Sequence, residues 1–307
     1  MDFSIVIPSY NRRQVLAEVL EALETQEGSS FEVVVVDDGS TDGTAEFLDE
    51  LRTPLALQIL HQENAGPAAA RNAGVALARG RWVAFLGDDT VPRTGWLQGH
   101  REALGSAAAE EIRAQGGEVG VIGYTSWHPR MRMTPFLRYI NEFGLQFGYS
   151  LLDDPLDVGF QFFYTSNLSL PRELLLENPF NTSFPYAAWE DIEVSYRLYA
   201  KGFRLHYAAE AQVAHDHPTD LLRFAERQER AGYCAAVFYR LHPELGGFLG
   251  FGEGGPPALP GAARQRWRMR LARGLQKLPV SLPRLWEDVL RYHYIVGLHR
   301  GWQATQP

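Results

Sequence analysis

Two rhythms of apolar and polar residues alternate along the first hundred positions. Short unbroken apolar runs end in turn residues, and each is followed by apolar residues three and four apart. Ser4 to Pro8 reads as a strand, and Arg13 to Thr25 carries Val15, Leu16, Val19, Leu20 and Leu23 at helical spacing. Glu32 to Val36 is a β-branched run of the kind that fills a central parallel strand. Asp37 to Gly43 is a turn, Thr44 to Leu51 a helix and Leu55 to His61 a third strand. Pro67 to Ala78 is an Ala-rich helix, and Trp82 to Leu86 a fourth strand. This order predicts an α/β fold with a mostly parallel, Rossmann-like sheet, right-handed crossovers and helices on both faces.

Beyond residue 100 the rhythm weakens. Glu118 to Arg138 predicts short strands and loops, and Phe160 to Leu170 another strand. Trp189 to Ala200 is helical, with Gly202 placed to end it. Arg204 to Val213 reads as a strand, broken by His215-Asp216-His217-Pro218. Asp220 to Leu241 is helical, Gly246 to Gly261 a Gly/Pro-rich mobile loop, and Ala262 to Trp302 an Arg- and Trp-rich helical tail. The expected division is a domain over 1–218 and a helical extension over 219–307.

The candidate chemistry gathers where predicted strands end. Phe85-Leu86-Gly87-Asp88-Asp89-Thr90 closes a buried strand with two adjacent carboxylates. Ligands of open α/β sheets bind at this edge. Two acids there repel each other unless a cation or a ligand hydroxyl compensates them, and Mg²⁺ or Mn²⁺ suits oxygen donors. A plain Asp-rich turn is the alternative. The first strand ends in Pro8-Ser9-Tyr10-Asn11-Arg12, where a ring and polar groups can hold a nucleobase, although Asn11 also fits a helix N-cap. The second ends in Asp37-Asp38-Gly39-Ser40, either a ribose-binding acid or an Asx turn. Arg71 interrupts the Ala-rich surface of Asn64 to Gly74, so a semi-buried ionic partner is expected for it.

Bulk properties narrow the classes. The 307 residues suffice for one large α/β domain or a domain with an appendage, and a net charge of −8 does not favour a nucleic-acid partner. The single Cys, Cys234, fits a reducing compartment. Met1 leads directly into a strand pattern, so no signal peptide is expected, and no apolar run approaches the roughly 20 residues of a membrane span. A cytoplasmic location follows, with the inner face of the membrane as one place within it.

Together these segments resemble the family-2 glycosyltransferases, which use nucleotide-activated sugars. The resemblance covers roughly residues 3 to 218 and rests on Ile5-Val6-Ile7-Pro8-Ser9-Tyr10-Asn11, Val35 to Asp42, Asn64 to Gly74 and Phe85-Leu86-Gly87-Asp88-Asp89, in the family's order. It implies the GT-A fold, with a nucleotide-sugar half over about 1–100 and an acceptor half over about 101–218. It implies Pro8, Tyr10, Asn11 and Asp38 around the base, Arg71 near the base or diphosphate, Asp88 on the ribose or sugar, and Asp89 on a Mn²⁺ or Mg²⁺ ion. Gly87 departs from the pattern, because many members carry a third acid there. Trp189-Glu190-Asp191 resembles the family's catalytic acids, with Asp191 as general base and Glu190 as second choice. His215 resembles the histidine that completes the metal site in related enzymes, whereas His217 reads as a surface loop residue.

The implied reaction is transfer of a sugar, with inversion, from a nucleotide-diphospho-sugar, first of all a UDP-sugar, to an acceptor hydroxyl. A saccharide or lipid-linked acceptor in cell-envelope polysaccharide or glycolipid synthesis is the leading expectation. Two other classes compete. A nucleotidyltransferase would show a Gly-rich basic loop after its first strand, which Pro8-Ser9-Tyr10-Asn11 does not. A non-catalytic sugar-nucleotide-binding subunit would lose Asp191. The aromatics Trp127, Tyr139, Phe143, Phe147, Tyr149, Phe160 and Tyr164 can stack on sugars or fill a core. In the tail, Trp267, Leu271 and Leu275 form a stripe beside Arg264, Arg266, Arg268, Arg270 and Arg273. Packing of that stripe on protein, a second copy of the chain included, is favoured over a peripheral contact with anionic lipid.

Overall fold

A computed structural model describes residues 1–142, 144–275 and 280–304. Phe143 and residues 276–279 of the tail lie outside them, as do the side chains of 262–266, Arg264 and Arg266 among them. The chain divides into two compact units. One comprises Met1–Met131, Leu151–Thr182 and Glu190–His217; the other Arg132–Ser150, Ser183–Trp189 and Pro218–Pro307.

The first unit is built on one sheet. In chain order its elements are β1 (Phe3–Ser9), α1 (Arg13–Leu23), β2 (Phe31–Asp37), α2 (Thr44–Glu50), β3 (Leu57–His61), α3 (Pro67–Leu77), β4 (Trp82–Leu86), β5 (Thr90–Pro92), α4 (Trp96–Leu104), α5 (Ala107–Ala114) and β6 (Glu118–Trp127). After α6 (Pro135–Glu142), which belongs to the second unit, come β7 (Asn167–Pro171), α7 (Arg172–Glu177), α8 (Glu190–Tyr199) and β8 (Phe203–His215). The strands lie in the order β3-β2-β1-β4-β7-β6-β8-β5. β3, β2, β1 and β4 are parallel to one another, β7 runs against β4 and β6, and the edge strand β5 runs against β8. The fold is therefore α/β and mostly parallel, as the sequence predicts.

Local sequence explains the first half. Val33, Val34, Val35 and Val36 are all fully buried, which is why β2 shows no polar alternation. Leu16, Val19, Leu20 and Leu23 form the buried stripe of α1. Pro67 opens α3 at its first turn, where a missing N–H costs nothing. Gly74 lets α3 lie against β1 and β2, since a Cβ there would sit 2.4 Å from Val6 Cγ1.

Two segments differ from expectation. Glu118–Trp127 is one ten-residue strand rather than short pieces. Its register on β8 jumps from Gly123↔Ala208 to Tyr124↔Gln212, so the extra residues of the bulge lie on β8 and β6 runs through unbroken; Gly120 and Gly123 interrupt its apolar run in the sequence, which makes it read as pieces. Phe160–Phe162 is a 3₁₀ turn behind Gly159 (φ 89°), and the strand begins only at Asn167. The aromatic run reads like a strand, but Phe160 packs edge-on against Tyr196 and Tyr199 of α8 instead.

The second unit is helical. α9 (Leu221–Leu241) is N-capped by Asp220, whose side chain accepts from the amides of Leu222 and Arg223. The tail forms two helices, α10 (Ala262–Leu275) and α11 (Pro283–Ala304), not one. α9 and α11 meet backbone to backbone: a Cβ on Gly297 would lie 2.0 Å from the Glu229 carbonyl oxygen, and one on Gly232 2.0 Å from that of Tyr294. The Gly/Pro-rich loop is tethered rather than loose. Leu249 and Phe251 are buried, and the Phe251 ring stacks on Tyr239 at 4.4 Å. In α10, Ala272 is buried and Arg268 pairs with Asp288 at 2.9 Å, while Trp267 is 62% exposed and Leu271 also faces solvent. No described helix is long and apolar enough to cross a membrane.

A buried polar knot ties the sheet of the first unit together. Asn167 Oδ1 accepts from Trp96 Nε1 at 2.7 Å and lies 2.9 Å from His100 Nε2. Its Nδ2 donates to the carbonyls of Ala211 (2.9 Å) and Tyr124 (3.3 Å), and Ser169 Oγ meets His100 Nδ1 at 2.8 Å. Burial pushes the His100 imidazole down to about 4, with the Asn167 bond pulling the other way. The folded value lies below the ordinary 6.5, so protons bind the unfolded chain first as the pH falls. This contribution is intact above pH 6.5 and is lost as the pH falls toward 4, reaching about 3 kcal/mol. Urea melts of His100→Gln should show a flatter stability profile over that interval than the wild type. An identical slope would rule out His100 as its source.

Candidate active site

Three loops converge at the carboxyl ends of β1, β2 and β3. Asn11 has φ 55°, a left-handed conformation that Asn tolerates better than most residues. It is not the cap of α1; Arg12 occupies that position. The Asn11 amide donates to Ser40 Oγ at 2.9 Å, and its Oδ1 accepts from the Thr41 amide at 2.7 Å. This latch joins the loop after β1 to the turn after β2. Tyr10 is half exposed and Pro8 half-buried beside it. Asp37 turns its carboxylate back to the Ser40 amide and to His61. Asp38 is buried, and its carboxylate accepts from Gln62 Nε2 (2.7 Å) and from the amides of Ala65 and Gly66 (2.9 Å each). Asp38 therefore shapes the loop that leads into α3, with little acceptor capacity left over.

The second group lies where β4 ends. Asp88 and Asp89 follow Gly87, and β5 then pairs Thr90 with His215, the last residue of β8. The Asp216 amide donates to the Asp89 carbonyl at 2.8 Å. Residues far apart in sequence are thus joined by three residues of edge strand. Asp89 Oδ1 lies 3.3 Å from His215 Nε2, and Asp89 Oδ2 lies 3.0 Å from His217 Nδ1. The two imidazoles stack on each other at 5.5 Å with planes 5° apart, and Trp127 stacks on His215 at 5.7 Å. Arg12 Nη2 reaches His217 Nδ1 at 3.0 Å and Asp89 Oδ2 at 3.7 Å.

The adjacent acids are driven apart electrostatically. Burial, then the charge of Asp89, push the Asp88 carboxyl up to about 7, with Arg12 opposing. Burial also works against the Asp89 charge, but His215 and then His217 hold its carboxyl well below the usual range. One donor atom each from Asp89, His215 and His217 lie within 4.8 Å of one another. Ligands at about 2.1 Å from a six-coordinate ion are about 3 Å apart when adjacent and about 4 Å when opposite, so small shifts fit the trio to one ion. One carboxylate and two imidazoles suit Mn²⁺ better than Mg²⁺. Gly87 also has a structural reason: a Cβ there would lie 2.9 Å from Thr90 Oγ1 and 3.3 Å from Asp89 Oδ1.

The third group lies at the start of α8. Arg71 of α3 pairs with Glu190 at 2.8 Å, both largely buried. The ionic partner expected for Arg71 is thus a carboxylate far along the chain. Its guanidinium also lies 5.6 Å from the centre of the Phe180 ring. Phe180 is held by Asn72, which accepts from its amide and donates to its carbonyl, both at 2.9 Å. Arg71 Nε and Glu190 Oε2 are buried with no hydrogen-bond partner among the described residues. Beside them, burial and then the charge of Glu190 push the Asp191 carboxyl up to about 7, with Arg71 opposing. Trp189, immediately before α8, has φ 71°, a strained conformation for a large aromatic residue.

Of the residues expected at the site, Asp88, Asp89 and His215 come together, as do Arg71, Glu190 and Asp191. His217 and Arg12 were not expected. The signal for His217 was present, since residues two apart on extended chain share a face.

A family model described as glycosyl transferase family 2 matches residues 4–157. The chain belongs to that family. A succinoglycan biosynthesis protein, ExoO, of Rhizobium meliloti is 38% identical over 109 residues, 36% of this chain and 31% of the relative. A pre-mycofactocin glycosyltransferase of Mycobacterium tuberculosis is 28% identical over 288 residues, 90% of this chain and 54% of the relative. The chain thus spans about half or less of the length of these relatives. Among solved structures, the mannosyltransferase PcManGT from Pyrobaculum calidifontis, in complex with GDP-Man and Mn²⁺, superimposes with a TM-score of 0.66 at 19% identity, covering 99% of this chain and 88% of that one. The GT-A fold is the common element.

If the trio binds a cation as a unit, His217→Ala and His215→Ala should weaken Mn²⁺ binding to similar extents, about tenfold or more, in calorimetric titrations. Wild-type affinity in His217→Ala would remove His217 from the donor set.

Proposed function

We propose that the protein is an inverting glycosyltransferase that moves a sugar from a nucleotide-diphospho-sugar to an acceptor hydroxyl. The observation that carries this reading is the second acid pair: Glu190 is neutralised by Arg71, while Asp191 is held with its carboxyl raised to about 7. A carboxyl in that range is matched to taking a proton near neutral pH. Glu190 is already committed to Arg71, so Asp191 is the base of the two.

Asp191 removes the acceptor proton as the acceptor oxygen bonds to the anomeric carbon. The carbon–oxygen bond to the diphosphate breaks, and its electron pair leaves with the nucleoside diphosphate. Attack opposite the leaving group inverts the anomeric centre. Pro8, Tyr10, Asn11 and Asp38 frame the base, the last two by shaping the loops rather than by free polar atoms. Asp88 stands by the ribose or sugar. Asp89, His215 and His217 would hold a divalent cation, Mn²⁺ before Mg²⁺, and bound there it would offset the charge that develops on the departing diphosphate. PcManGT, with its GDP-Man and Mn²⁺, supports this cofactor and donor class. UDP-sugars are the first donors to test and GDP-sugars the second.

The naming of ExoO for succinoglycan biosynthesis supports an acceptor in cell-envelope polysaccharide or glycolipid synthesis. Trp267 and Leu271, exposed beside the exposed Arg270 and Arg273, support an acceptor presented at an anionic lipid surface.

A panel of UDP-, GDP- and TDP-sugars with Mn²⁺ should reveal one donor whose sugar is transferred or slowly hydrolysed. With that donor, Asp191→Asn should lower kcat at least a hundredfold and leave the nucleotide Kd within about twofold. A variant near full activity would refute Asp191 as base. For the surface contact, co-sedimentation with phosphatidylglycerol-containing vesicles at low salt should be reduced by Trp267→Ala. No sedimentation of the wild type would exclude it.

A further inference from the structure

Arg12 is the one cationic side chain, among the described contacts, that reaches into the Asp89–His215–His217 trio. Its Nη2 lies 3.0 Å from His217 Nδ1 and 3.7 Å from Asp89 Oδ2. Those two acceptor atoms are themselves only 3.0 Å apart. Guanidinium nitrogens donate and cannot accept. Where Arg12 bonds His217, Nδ1 must therefore present its lone pair, and Asp89 Oδ2 presents lone pairs to the same place. With Nδ1 unprotonated, two electron-rich atoms that close need a positive charge facing both; with Nδ1 protonated the ring would donate to Asp89 instead and could not accept from Arg12. A divalent ion held by the trio would use the same lone pairs, and it would also be repelled by the guanidinium at this range.

We propose, on the reading that the trio holds a divalent cation, that Arg12 is a built-in competitor for it: Arg12 and the ion exchange at Asp89 and His217. Arg12 is suited to leaving. Its side chain is 34% exposed, it sits at the N-cap of α1 without making a side-chain cap bond, and its contacts with the trio are all polar. The position makes the ion's affinity a difference between two cations rather than a property of three ligands alone.

The test is a titration of the full chain with Mn²⁺ and no nucleotide, with the free aquo ion followed by electron paramagnetic resonance. Arg12→Met keeps the bulk of the side chain and removes the charge and the donors. It should bind Mn²⁺ about tenfold more tightly than the wild type. Arg12→Lys keeps a competing cation and should stay within about threefold of the wild type. Unchanged or weaker binding in Arg12→Met, with a wild-type thermal melt, overturns the competition. Asp89→Ala separates the two levels of the argument. If Mn²⁺ binds the wild type, is lost in Asp89→Ala and is indifferent to Arg12→Met, the competition alone falls. If neither the wild type nor Arg12→Met binds Mn²⁺, the metal reading falls with it.

Discussion

The Asn167 carboxamide is the constraint on which the edge carrying the candidate site depends. It sits at the start of β7, the strand that runs against both of its neighbours, and its register partner on β4 is Leu86. Its oxygen is shared by Trp96 and His100 of α4, and its nitrogen caps carbonyls on β6 and β8. The bulge at Gly123 and Tyr124 would otherwise leave the Ala211 carbonyl unpaired in the core. A Cβ at Gly123 would lie 2.4 Å from Asn167 Nδ2, so the glycine and the amide are two parts of one joint. Because β7 is fixed in this way, the ends of β4 and β8 are brought level, and Asp89 meets His215 through three residues of β5.

The site uses the same device twice. Each pair of adjacent acids contains one whose charged form is favoured by close partners and one that is pushed toward neutral pH. Asp89 has its imidazoles and Asp88 does not; Glu190 has Arg71 and Asp191 is left beside it. Burial supplies the upward push in both cases, and a neighbouring fixed charge decides which acid receives it. Two carboxyl groups near 7 result, one at the donor end of the reaction and one at the acceptor end in the proposed reading. Divergent environments around paired acids commonly mark acid–base roles.

β1, β2, β4 and the helix α1 were legible because the strands are covered on both faces and the helix carries a regular buried stripe; the half-buried edge strand β3 was legible from its apolar residues alone. Val33 to Val36 and the Leu16–Leu23 stripe leave no other reading. β6 was not legible as one strand, because Gly120 and Gly123 interrupt its apolar run and the bulge opposite them on β8 is closed by a side chain more than forty residues away. Phe160 to Tyr164 misled because aromatic runs favour strands, whereas here Phe160 packs against α8. The carboxylate and imidazole positions could be read from motif order, but the partners could not. That Arg71 would find Glu190, or that Arg12 would reach His217, depends on a separation of more than a hundred residues closed by the sheet.

Gly87 bears on the formal charge of the candidate cation site. Thr90 Oγ1 donates to the Gly87 carbonyl at 2.8 Å and fills the space a side chain would take. A third carboxylate there would have to displace the Thr90 side chain, and without it the proposed donor set has a single negative charge and two neutral rings. Such a set draws less on the strength of an ion's charge and more on its taste for nitrogen. Along the first transition row that taste rises from manganese toward zinc and copper. Which ion such a site would carry is then set by what the cell leaves free rather than by the site's own ranking, a dependence that a triple carboxylate would soften.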